Sequence, residues 1–69
     1  MAESVYKIIE IVGTSPTSWE KAAAAAVTRA ASTLRDLRVA EVSQQDIVMA
    51  DGKIEAYRVR VKVSFKYED

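Results

Sequence analysis

The 69-residue chain contains neither cysteine nor histidine. Without cysteine no disulfide can hold the fold, and without either residue the usual ligands of zinc, iron and copper are missing. Any bound metal is then a hard cation held by oxygens, such as calcium or magnesium. The same absence removes the imidazole base, the Cys–His pair and the Ser–His–Asp triad, so the residues point to a binding protein and not to an enzyme. Glycine occurs twice, too rarely for a phosphate-cradling loop, and Gly13-Thr14-Ser15 reads as a plain turn. Neither charge is in excess, since ten Lys and Arg balance ten Asp and Glu. The net basic field that draws nucleic acid is therefore absent. No apolar run is long enough to span a membrane. Met1-Ala2-Glu3-Ser4 opens with an acid where a secretory signal carries basic residues. A soluble cytoplasmic protein with no nucleic-acid or membrane partner is expected.

Size sets the next bound. The length leaves room for one domain, 1–69, and no linker to a second. Such a chain hides only about 60% of the surface it exposes when unfolded. Single cores of fewer than about 70–80 residues rarely supply more than about 3–5 kcal/mol of net stability. Small domains usually add disulfides, a metal or a partner subunit. With disulfides excluded, a partner subunit is the leading source.

What is present divides into four elements. Val5 to Val12 is rich in β-branched residues and reads as a strand stopping at Gly13. Val5, Lys7, Ile9 and Ile11 share one face; Tyr6, Ile8, Glu10 and Val12 share the other, so both faces are largely apolar. After a turn at Gly13-Thr14-Ser15-Pro16, Thr17-Ser18-Trp19-Glu20 fits a capping box, with Ser15 before Pro16 as an alternative helix start. Trp19, Ala23, Ala26, Ala30, Leu34 and Leu37 recur at three- and four-residue spacing and form one apolar stripe. The Ala22–Ala26 run favours a slim helix able to lie close to a sheet. Trp19, at the start of the stripe, reads as core or interface.

Arg38 to Met49 is a second strand with an indistinct face assignment. Ala40, Val42 and Val48 fall on one side, and Val39, Ile47 and Met49 on the other. The polar centre Ser43-Gln44-Gln45-Asp46 leaves room for a bulge. Asp51-Gly52 is a two-residue hairpin turn. Lys53 to Lys66 alternates cleanly, with Tyr57, Val59, Val61, Val63 and Phe65 opposite Arg58, Arg60, Lys62, Ser64 and Lys66. The expected class is α+β, a βαββ unit with a three-stranded antiparallel sheet ordered 1-3-2 and one helix across one face. The other face needs a cover, and copies of the same chain are the simplest one.

Glu10, Glu41 and Asp46 are oxygen donors a calcium ion could use, with Ser43, Gln44 and Gln45 as weaker ones. None has a diagnostic loop spacing. The row Arg58, Arg60, Lys62, Lys66 carries no interleaved aromatic and so lacks the stacking platform of single-strand binders. It reads as intersubunit ion pairs or the lining of a solvent cavity.

Laid end to end, VYKIIEIVGTSPTSWEKAAAAAVTRAA, TLRDLRVAEV and the hairpin into YRVRVKVSFKYED resemble the dodecin family over essentially the whole chain. GTSPTSWE after a first strand and a closing V-x-V-x-F strand carry most of that resemblance. It implies a sheet partly wrapped around the helix and a hollow homododecamer. It also implies flavin (FMN or riboflavin) bound and stored at subunit interfaces by a tryptophan and a glutamine. Here Val39 stands at the tryptophan position and Arg58, after Tyr57, at the glutamine position. Stacking on an aromatic is worth about 1–3 kcal/mol per contact, and valine has no π face. Glutamine donates and accepts hydrogen bonds, whereas arginine only donates and adds a charge. Weak or absent flavin binding is expected. GTSPTSW, R-V-A and the Q-D of the second strand resemble the calcium-associated members of the family, which lack the stacking tryptophan. Three readings follow from the resemblance: a shell that binds calcium or another small ligand, a flavin store with an altered pocket built on Tyr57 or Arg58, and a structural oligomer without a ligand.

Overall fold

β-Branched residues draw three segments into strands, and the alanine-rich segment between the first two becomes the helix. The computed structural model describes residues 3–67. Met1 and Ala2, part of the reading of the amino terminus, and Glu68 and Asp69, the end of the last segment quoted for the resemblance, lie outside the described residues. The elements are β1 (Tyr6–Ser15), α1 (Trp19–Thr33), β2 (Leu37–Ala50) and β3 (Lys53–Lys66). All pairings are antiparallel and the sheet order is β1-β3-β2, as expected. No helix among the described residues is long and apolar enough to cross a membrane.

The core follows from the alternation of β3. Val59, Val61 and Val63 face α1 and are fully buried, against Ala22 and Ala26 of the helix. Ile9, Ile11, Trp19, Ala23, Val27, Leu34 and Leu37 pack around them. Each buried valine contributes on the order of 2 kcal/mol of transfer free energy. Small side chains on the inward helix face let the backbone of α1 approach the sheet. Leu34 and Leu37 continue the apolar stripe in sequence but lie past the helix, Leu34 as its C-cap and Leu37 as the first residue of β2. Asp36, at φ 60°, makes the reversal between them.

Two local expectations are corrected. β1 does not stop at Gly13 but runs on to Ser15. Gly13 is there for closeness: a Cβ at this position would fall inside the contact shell of the Ala22 carbonyl oxygen and 2.9 Å from the Ala26 Cβ. The helix also starts without the Thr17–Glu20 box and without Pro16 in its first turn. Ser18 is the N-cap, and its hydroxyl accepts from the Lys21 N–H at 3.1 Å. Buried Ser15 uses its own hydroxyl to accept the Thr17 N–H at 3.0 Å, which closes the turn before the helix. Glu20 instead places its charge in the positive first turn.

The indistinct faces of β2 have a physical cause. Val42 pairs with Val61 and Gln44 with Arg60, leaving Ser43 as an extra residue in a bulge. The bulge reverses the alternation. Ala40 and Val42 therefore share the helix side with Ile47, while Val39 and Val48 lie on the opposite side, which corrects the grouping read from simple alternation. Asp51 and Gly52 close the hairpin with φ of 53° and 74°, the positive values this turn requires. The molecule is elongated, with extents of 54 × 20 × 16 Å and a radius of gyration of 14.3 Å, against roughly 11 Å for a compact chain of this length.

Candidate functional site

One helix covers one face of the sheet, so the outward residues of all three strands form an open face. β3 runs along its centre and its neighbours are read from the register. Thr14, Arg58 and Asp46 make one rung; Val12, Arg60 and Gln44 the next; Glu10, Lys62 and Glu41 the third; Ile8, Ser64 and Val39 the fourth. A cationic spine is thus flanked by carboxylates on both sides, and the rungs between carry exposed apolar groups, Ile8 and Val39 each at 61%. Glu10, Glu41, Gln44, Asp46, Val39 and Arg58 stand on this face, whereas Gln45, paired with buried Val59, lies on the helix side.

The structure ties one of these rungs together. The guanidinium of Arg58 donates to both carboxylate oxygens of Asp46, from Nε to Oδ1 and from Nη2 to Oδ2, each at 2.8 Å. This bidentate fit is the strong form of a charge-assisted hydrogen bond. The hydrogen bond from Arg58 holds the Asp46 carboxyl below its ordinary value; burial opposes this, and the charges of Arg58 and Arg60 add to the lowering. The same pair raises Arg58 above the ordinary arginine value. Asp46 is engaged on its other side too, because its backbone carbonyl accepts the Trp19 indole N–H at 3.0 Å. Trp19 in turn meets Tyr57 edge to face, with ring centroids 5.2 Å apart. Asp46 therefore links the open face to the start of α1. Sequence reasoning placed neither contact, and Trp19 at the head of the stripe was the one signal that something packs there.

The remaining candidates are more loosely held. Glu10 lies 3.7 Å from Arg60, with both side chains nearly half exposed, a geometry that contributes little in water. Ser43 donates to the Arg60 carbonyl and Ser64 to that of Val39, each at 3.3 Å, so these hydroxyls brace the hairpin.

Distances decide what one protomer can do. Glu10 and Glu41 flank Lys62 one strand to either side, about 10 Å apart by strand spacing. Asp46 lies four residues further along β3, about 13 Å from that rung. Calcium needs several oxygens at about 2.3–2.6 Å, and no group of three or more acids is gathered for a metal among the described residues. Val39 and Arg58 are likewise on one face but six residues of β3 apart, about 20 Å. Neither candidate set closes within one copy of the chain. Tyr57 points to the helix side against Trp19, which removes it as a stacking platform on the open face.

Comparison with known proteins follows the same lines. The family model described as Dodecin matches residues 5–68. The chain is 58% identical over 64 residues to the calcium dodecin of Mycobacterium tuberculosis, covering 91% of this chain and 89% of that one. It is 38% identical over 65 residues to the dodecin of Thermus thermophilus, covering 94% of each. Among solved structures, the dodecin of Streptomyces coelicolor superposes with a TM-score of 0.91 at 39% identity, over 100% of this chain and 99% of that one. A Mycobacterium tuberculosis calcium dodecin, described as a calcium-chelating antigen with a novel calcium-binding site, superposes at 0.84 with 56% identity, over 94% and 93%.

Proposed function

Because the chain belongs to the dodecin family, we propose that twelve copies assemble into a hollow shell that binds calcium and has little or no affinity for flavin. It acts by binding and not by catalysis. The observation that carries this reading is the state of Arg58. At the position where the resemblance implies a hydrogen-bonding glutamine, an arginine is locked onto Asp46 by two 2.8 Å bonds, and Val39 offers no ring to stack on. The similarity to calcium dodecin supports calcium as the replacement.

Glu10, Glu41 and Asp46 are the proposed oxygen donors, brought together from neighbouring copies because they do not converge in one. Both Asp46 oxygens already accept from Arg58, so calcium competes with an internal cation for the charge of that carboxylate. The function is tested by titrating the purified protein with calcium chloride in a calorimeter and with riboflavin in a fluorimeter. A saturable calcium heat with unquenched riboflavin fluorescence is expected. Strong quenching without a calcium heat would replace this reading with flavin storage.

A further inference from the structure

β1 and β3 share their last rung at Ser15 and Tyr57. Beyond it the sheet continues as β2 and β3 alone, and residues 48–56 form a two-stranded arm reaching about 17 Å past that rung. The helix does not follow. It begins at Trp19, hydrogen-bonded at the base of the arm, and runs the other way, Ala22 beside Gly13 and Ala30 and Leu34 beside Ile9 and Ile11. β3, the central strand of the body, thus becomes an edge strand in the arm, with backbone groups that no strand of its own chain pairs. A two-stranded hairpin without a third strand or a helix against it is only marginally stable in water. This one nevertheless exposes Met49 at 56% and Ile54 at 51%, opposite each other in the register, with Ile47, 38% exposed, at its base.

The arm is therefore short of both strand partners and apolar cover. The whole chain shows the same deficit: its accessible surface is 5231 Å², roughly 900 Å² more than the roughly 4,300 Å² expected of a monomer of this mass. That excess is close to the roughly 800 Å² each partner contributes to an interface of standard size. A chain with zero net charge meets no net repulsion from a second copy. We infer that this arm is the element by which one copy grips a second copy of the chain, with Met49 and Ile54 as its anchors. The inference rests on the assembly proposed above and names the surface that makes it.

The test is the size of M49D/I54D by light scattering and native mass spectrometry, beside the parent chain and K53E. Both anchor positions are more than half exposed, so the core of each copy stays intact, and circular dichroism checks its strand content. The parent and K53E are expected to remain assembled, while the double variant falls to smaller species. An assembled parent with an equally assembled double variant overturns the arm alone; a monomeric parent overturns the assembly and the arm together. If the double variant does not fold, I54C answers instead, because its cysteine is the only one in the chain. A benzophenone attached there is expected to crosslink to a second copy on irradiation, and a product confined to single chains overturns the inference.

Discussion

Replacing Gly13 by alanine isolates the closeness of helix and sheet from every other feature of the fold. The backbone at Gly13 is not in the left-handed region, where only Asp36, Asp51 and Gly52 among the described residues are found, so alanine meets no conformational penalty there. Its effect is one of space. The new methyl would sit inside the contact shell of the Ala22 carbonyl oxygen, 3.1 Å from the Ala22 carbonyl carbon and 2.9 Å from the Ala26 Cβ. Two of these three are backbone atoms of a regular helix, which cannot turn aside as a side chain would. Relief requires α1 to lift from β1 as a body, and that loosens Ala22 and Ala26 from Val59, Val61 and Val63, the centre of the core. Overpacking of this kind costs about 1–3 kcal/mol. For a domain of this size each kcal/mol moves the melting temperature by about 4–8 °C, so a loss of about 10 °C is expected. Thermal denaturation followed by far-ultraviolet circular dichroism, at matched protein concentration, measures it. A G13A variant melting within about 2 °C of the parent would refute the reasoning, since it would mean that the helix does not need the missing side chain.

Other consequences follow from the Asp46 hub and the valine core. W19F keeps an aromatic edge against Tyr57 but leaves the Asp46 carbonyl without its donor, and a loss of about 1–2 kcal/mol in urea denaturation is expected; an unchanged midpoint would mean that the bond contributes nothing. V61A removes two buried methyl groups from a fully buried side chain and is expected to cost about 2 kcal/mol by the same assay. The Asp46–Arg58 pair makes stability depend on pH in a defined direction. The folded Asp46 carboxyl titrates below its ordinary value of 3.8 because Arg58 hydrogen-bonds it, so the contribution of the pair is complete above that value and is lost as the pH falls through the lower, folded one. Melting temperatures measured downward from about pH 5 should fall more steeply for the parent than for D46N; parallel curves would show that the pair adds no pH dependence.

Much of this architecture can be read from the residues in order. The alternation from Lys53 to Lys66, the Asp51-Gly52 turn and the alanine stripe define β3, the hairpin and the covered face, and the 1-3-2 order follows from one helix joining strands that run up and down. The misreadings share a cause, which is that sequence patterns carry local preference but not contact. Gly13 looks like a strand end because glycine so often marks one, whereas its role is to admit a helix from elsewhere in the chain. Thr17 and Glu20 have the spacing of a capping box, yet Ser15 closes the turn first and Ser18 becomes the cap. The site shows the same limit. Counting back from the turn sets Asp46 against Tyr57, but the irregularity between Val48 and Met49 moves it to Arg58. The bidentate clamp exists because of a bulge that no residue in the sequence announces. The placement of Glu10, Glu41, Asp46, Val39 and Arg58 on one face follows from alternation corrected for those bulges, and their separation of about 10–20 Å follows from strand geometry.

Native mass spectrometry of the purified protein, sprayed from solutions containing calcium or riboflavin, tests the proposed calcium-binding shell most directly. The account predicts one dominant species of about 91 kDa, twelve copies of a 7.6 kDa chain, that gains calcium in discrete steps and retains no riboflavin. A 7.6 kDa species alone, or a shell that retains riboflavin and takes up no calcium, would contradict it.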